Sequence, residues 1–326
     1  MQLFRTPVDI PPSSVKIDYS DSVMLMGSCF SESIGQKLFQ FKFKTENNPF
    51  GIIYNPASIA TGIRRLINNK EYCADDLIEH NNIWYSFDHH GRFSALNPSA
   101  CLETINSRLL QASNFLNGAR FLFLTFGTAW VYHLKSTGQI VANCHKFPAS
   151  HFVRRRLSVD DTVTMYIPLI KELHRINPEL QIVFTVSPVR HWKDGARENQ
   201  LSKSVLHLAI DDLCQQFPFV SYFPSYEILM DELRDYRFYE DDMLHPSSVA
   251  VQYIWDCFAN SFMDTNTLKI MNEVSSIVKA SAHRPFNPLS DSHRKFVAEQ
   301  MNRINDLSAK YQISFKEETE FFRKFL

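Results

Sequence analysis

Three stretches of this chain are apolar without the alternation of a half-exposed strand: Val23-Met24-Leu25-Met26, Phe121-Leu122-Phe123-Leu124-Thr125-Phe126 and Ile182-Val183-Phe184-Thr185-Val186. A strand with one wet face reads with a period of two. Strands apolar on both faces belong to parallel sheets covered by helices on each side. Amphipathic helical patterns over 57–69, 99–117, 160–176 and 198–217 fall between and after these runs, and Phe219-Val220-Ser221-Tyr222-Phe223 supplies a further strand. Alternating strands and helices predict an α/β fold with a parallel central sheet, and 326 residues are enough for a large core.

Finer features follow the same logic. The first strand ends at Gly27-Ser28, and a helical pattern starts at Ser31. Segment 45–56 reads as turn-rich. Two hairpins are expected. One runs through Trp84–Phe93, with His89-His90 in a solvated turn; the other pairs Trp130–Tyr132 with Gln139–Val141, with Trp130 in the core or on a pocket wall. From about residue 266 the chain is charged and helical, broken by Pro285 and Pro288. The expected division is a catalytic domain over 1–264 and a helical extension over 265–326, packing on the core or on another subunit.

Composition narrows the function classes. With 34 basic and 35 acidic residues the formal charge is -1, which gives no field for nucleic acid. Arg154-Arg155-Arg156 reads as a solvated face. The six cysteines, at 29, 73, 101, 144, 214 and 257, include no CxxC pair, so neither a zinc site nor a disulfide framework is expected. Only nine glycines argue against glycine-rich phosphate loops, and no cofactor is expected. The first five residues lack a signal-peptide pattern, and no run approaches the roughly 18 apolar residues of a membrane helix. A cytoplasmic protein without a membrane partner is the expectation; oligomeric state is left open.

In open parallel sheets ligands gather beyond the carboxyl ends of the strands. Those ends present Gly27-Ser28, Gly127-Thr128 and Ser187-Pro188-Val189-Arg190-His191. Far along the chain stands Asp242-Met243-Leu244-His245-Pro246, with the proline expected in a first helical turn. A carboxylate three residues before a histidine in a turn can fix the imidazole tautomer and stabilise the imidazolium. Such a base is what a serine hydroxyl needs to become a nucleophile. The strand-to-helix turn also offers the Ser28 N–H as an oxyanion donor. His191 is read as a substrate contact or a structural hydrogen-bonder, His145 likewise, and Cys29 as a buried neighbour or alternative nucleophile.

Met26-Gly27-Ser28-Cys29-Phe30-Ser31-Glu32 resembles the signature of the GSCFA family. Asn48-Pro49-Phe50-Gly51, Tyr54-Asn55-Pro56, Phe126-Gly127-Thr128-Ala129-Trp130-Val131, Asn143-Cys144-His145-Lys146, Val186–His191 and Asp242-x-x-His245-Pro246 follow in order. That family resembles the SGNH (GDSL-like) hydrolases, which implies a three-layer α/β/α sandwich with Ser28 as nucleophile, His245 as general base and Asp242 as its orienting partner. By order, Gly51 stands for the second-block oxyanion glycine. Two departures stand out: Cys29 replaces the usual aspartate, and Gly127-Thr128-Ala129-Trp130 lacks the third-block asparagine. Thr128, Asn48 and Asn55 are the candidates to replace it. The resemblance implies an ester hydrolase or O-acyltransferase acting through an acyl-serine on a small-molecule or saccharide ester. The alternative is a non-catalytic binding module on the same scaffold.

Overall fold

The computed structural model describes residues 5–283, 285–288 and 290–325. The three unalternated runs are β1 (Ser22–Gly27), β5 (Phe121–Phe126) and β9 (Gln181–Val186). With β2 (Lys44–Asn47) and β10 (Val220–Tyr222) they form a sheet of order β10-β9-β5-β1-β2, every pairing parallel. Side chains leave the two faces alternately. Met24, Met26, Leu122, Leu124, Phe126, Ile182 and Phe184 bury themselves against α2 (Pro56–Asn68), α3 (Pro98–Asn117), α4 (Val159–Ile176) and α5 (Gly195–Gln216). Val23, Leu25, Phe121, Phe123 and Val183 pack on the other side, against α1 (Cys29–Gln40) and α7 (Ser248–Phe262). The result is the expected three-layer α/β/α sandwich, followed by a helical carboxyl-terminal part. Its helices are α8 (Thr265–Ala282), α9 (Asp291–Tyr311) and α10 (Lys316–Arg323). Of the two placements expected for them the fold takes the first: Ile270, Val274, Val297, Ile304, Phe315 and Phe322 share one buried cluster with Val23, Leu25 and Trp255.

Several local expectations need correction. Segment 45–56 is not all turn, because Lys44–Asn47 is the edge strand β2. An edge strand can be polar, and Glu46 is buried there in an ion pair with Arg108. The first hairpin lies earlier than read. β3 (Ile78–His80) pairs with β4 (Ile83–Tyr85) across Asn81-Asn82, both at positive φ, as a tight two-residue turn requires. His89 is therefore in no solvated turn. It is 2% exposed, its Nδ1 shares a hydrogen bond with Ser86 Oγ at 3.0 Å, and burial pushes its pKa down to about 3. The second hairpin, β6 (Trp130–Leu134) with β7 (Ile140–Val141), forms as expected. It gains a third strand, β8 (Phe152–Arg156), which carries the arginine triplet with Arg154 and Arg155 exposed. Pro246 precedes α7 instead of entering it, because Ser247 is the N-cap and accepts from the Ala250 N–H. The reading of the amino terminus rests on residues 1–5, of which 1–4 lie outside the described residues. Among the described residues no helix is long and apolar enough to cross a membrane.

Candidate active site

The strand order reverses direction at one place. From β1 the chain moves outward to β2 and then returns to β5 on the other side of β1. This switch point is where doubly wound sheets open a crevice at the carboxyl ends of their strands. Ser28 follows β1 there and Thr128 follows β5. Both line a cavity of about 370 Å3, together with Asn55, Arg190, His191 and His245.

Gly27 makes the turn after β1 possible. Its φ is +140°, and a Cβ there would lie 2.2 Å from the Thr125 carbonyl oxygen, so no other residue fits. Ser28 is then the N-cap of α1, with its Oγ accepting from the Phe30 N–H at 3.3 Å. Its own N–H donates to the Thr125 carbonyl at 3.2 Å, so the backbone donor expected at Ser28 is already engaged. The neighbouring Cys29 also lines the cavity, and burial raises its thiol pKa, which works against a thiolate nucleophile.

Asp242 and His245 sit in the expected relation. Asp242 Oδ2 lies 2.6 Å from His245 Nδ1, and Oδ1 accepts the N–H groups of Leu244 and His245, both at 2.9 Å. These donors, led by the His245 N–H and imidazole, lower the Asp242 pKa to about 2, so the carboxylate is ionised across the physiological range. With Nδ1 on the carboxylate, Nε2 is the nitrogen left for a proton from another group. No hydrogen bond joins Ser28 Oγ to His245 among the described residues; the two share a cavity wall.

The three stand-ins for the missing asparagine part ways. Asn48 is engaged at both ends: Oδ1 accepts from the Gly27 N–H at 2.8 Å and Nδ2 donates to Glu32 at 2.9 Å. Neither Asn48 nor Gly51 is part of the cavity wall. The Gly51 N–H donates to the Asn48 carbonyl at 2.8 Å, and its φ of +78° makes it a turn glycine. Asn55 differs. Its Oδ1 caps α2 by accepting from the Ser58 N–H at 2.8 Å, which fixes the amide, while Nδ2 has no hydrogen-bond partner among the described residues. Thr128 also lines the cavity. Its Oγ1 accepts from the Trp130 N–H at 3.2 Å and lies 3.1 Å from Ser202 Oγ.

Ser202 accepts from the Ala129 N–H at 2.7 Å, and in its pair with Thr128 either hydroxyl can donate. A hydroxyl has one donor and two acceptor positions. With Ser202 as the donor of that pair, both acceptor positions of Thr128 are filled and its proton is left for the cavity.

Sequence reading missed what lies beneath. Lys203 is fully buried and donates to the Gly127 carbonyl at 2.8 Å and the Ser187 carbonyl at 2.6 Å, tying the ends of β5 and β9 together. Desolvation lowers its pKa to about 7. The signal was available: Asn199, Ser202 and Lys203 continue the buried stripe of Leu206, Ala209, Ile210 and Leu213 on α5. A lysine on an apolar stripe is a buried cation in want of partners. His191 borders the cavity beside Tyr54, their rings edge to face at 5.4 Å, and burial lowers its pKa to about 4. His145 is elsewhere, its Nε2 2.8 Å from the Ser86 carbonyl.

A parallel doubly wound sheet with a capping serine at its switch point and an Asp-x-x-His pair across the crevice defines the class: an α/β sandwich with a candidate site at the carboxyl edge of its sheet. The chain belongs to the GSCFA family, which it matches over residues 22–258, and residues 274–326 match the GSCFA domain protein, C-terminal domain. No curated protein matches it. Among solved structures it is similar to a carbohydrate esterase family 3 from Talaromyces cellulolyticus. Identity is 11%, coverage 78% of this chain and 99% of that one, and the TM-score 0.37. It is also similar to the Clostridium thermocellum family 3 carbohydrate esterase, at 12% identity, 78% and 100% coverage and a TM-score of 0.35.

Proposed function

We propose that this chain is a serine ester hydrolase. Ser28 Oγ attacks the ester carbonyl while His245 Nε2 takes its proton, and Asp242 holds the imidazole and balances its positive charge. The tetrahedral intermediate then loses the ester's alcohol, whose oxygen takes the proton back from His245. The acyl-serine left is resolved by water, or by another alcohol in an O-acyl transfer, with His245 again taking the attacking group's proton and passing it to Ser28 Oγ. The substrate is a small acylated alcohol such as a saccharide ester. The observation that carries this reading is that Ser28, His245, Asn55 and Thr128 border one cavity while Asp242 grips His245 from behind at 2.6 Å. Oxyanion donation falls to Asn55 Nδ2 and the Thr128 hydroxyl, one amide and one hydroxyl in place of the third-block asparagine. The hydrogen bond between Ser28 and His245 closes when substrate binds, as apo active sites commonly require.

The test is turnover of short-chain p-nitrophenyl esters by the wild type and by Ser28→Ala, with fluorophosphonate labelling of Ser28 alongside. Turnover lost in the variant and label on Ser28 are the expected results. A second reading, a binding module without catalysis, is favoured by one observation: the Ser28 N–H is engaged by Thr125. Folded wild-type protein that neither labels nor cleaves would establish that reading instead.

A further inference from the structure

Arg190 separates the Ser28 cavity from a second one. It lines both, and the second is also walled by Trp192, Tyr239 and Asp242. Its guanidinium packs 5.2 Å from the Trp192 ring, but among the described residues it makes no ion pair and no side-chain hydrogen bond, and its Nε is sealed from solvent without a partner. The carboxylates nearby are engaged elsewhere. Asp242 holds His245 and two backbone N–H groups. Asp194 is paired with Arg154 at 2.5 Å, and Asp235 accepts from the Arg237 N–H. On the inner side Arg190 faces another cation, Lys203, whose pKa it helps to lower.

A partly buried cation with no carboxylate, beside a second buried cation, calls for an anion from outside the chain. We infer that Arg190 is an anion-binding subsite of the reaction cavity, and that the substrate carries an oxyanion group, carboxylate or phosphate, on the part that does not react. The planar guanidinium suits either anion, which it can bind through two parallel N–H donors. The inference builds on the esterase reading, but the anion site can be measured without any turnover.

The experiment is calorimetric titration of Ser28→Ala protein with a hexuronate, a hexose phosphate and the neutral hexose, repeated with Arg190→Gln and Arg190→Lys added. One or both anions should bind more tightly than the neutral sugar. Arg190→Gln should weaken that anion about 10- to 100-fold, the span of a charge-assisted hydrogen bond, and erase its advantage over the neutral sugar. Arg190→Lys, which keeps the charge, should retain part of the preference. Which anion wins tells carboxylate from phosphate. Equal binding of charged and neutral sugars by the Arg190-bearing protein, or an anion preference that survives Arg190→Gln, overturns the subsite. Failure of the wild type to cleave p-nitrophenyl esters would count against the Ser28 mechanism alone and leave the anion result standing.

Discussion

Replacing Lys203 by methionine gives the sharpest physical test of the site's foundation. Lysine in an unfolded chain titrates near 10.4, roughly three units above the value of about 7 to which burial brings Lys203. Because the folded-state pKa is the lower one, the unfolded chain binds more protons between about pH 7 and about pH 10, and stability rises with pH across that window. Integrated from pH 7 to pH 9, this single group adds about 2 kcal/mol to the wild type. Methionine cannot titrate, and it leaves the Gly127 and Ser187 carbonyls without their donor, at a cost of roughly 1–3 kcal/mol for each. The assay is urea unfolding of both proteins under reducing conditions at the two pH values. Cysteines and tyrosines that titrate in the same range are common to both proteins and largely drop out of the difference. The stability gap should move in favour of the wild type by about 2 kcal/mol between pH 7 and pH 9. A gap constant to within about 0.5 kcal/mol would falsify the claim that the amine sits there with a depressed pKa.

The remaining predictions concern the cavity and its surroundings. Asn55→Asp keeps the oxygen that caps α2 but removes the Nδ2 donor, so kcat on p-nitrophenyl acetate should fall about 100- to 1000-fold while the melting temperature stays near that of the wild type. A variant that melts normally and turns over normally would remove Asn55 from the oxyanion site. Gly51→Ala should act on stability instead, since its Cβ would lie 2.3 Å from the Cβ of His90 at a φ of +78°; a drop of more than about 1 kcal/mol in urea unfolding is expected. His89 is buried neutral with its pKa near 3, against about 6.5 when unfolded. The unfolded chain therefore binds the extra proton as pH falls through 6.5, and this one residue costs about 3 kcal/mol of stability by pH 4. Differential scanning calorimetry of His89→Gln should show a shallower acid loss than the wild type, and parallel curves would refute the assignment.

The buried strands were legible because a strand covered on both faces leaves a run with no polar interruption, as at Phe121–Phe126. β2 was not, since Lys44-Thr45-Glu46-Asn47 is held by pairing with β1 and by the Glu46–Arg108 ion pair, neither of which leaves a local pattern. The Asp242–His245 pair was readable because its geometry is local, three residues in one turn. The choice among Asn48, Asn55 and Thr128 was not, because it depends on which amide ends are already bonded, and those partners lie in other segments. Asn48 is engaged by Gly27 and Glu32, whereas Asn55 uses only its oxygen on Ser58. His89 misled for a related reason: beside Gly91 it reads as a turn, yet Phe50, Tyr72 and Phe93 close over it.

Phe315 and Phe322, just before and within the last described helix, close over the same apolar cluster as Val23 and Leu25 of the first strand. During synthesis β1 and α1 leave the ribosome long before the last residues of the cluster they share. That layer of the core therefore stays incomplete until the end of translation, a window in which a holding chaperone has something to hold. A frameshift or early stop near residue 310 would spare every residue of the cavity and still strip Ile313, Phe315 and Phe322 from the cluster behind β1.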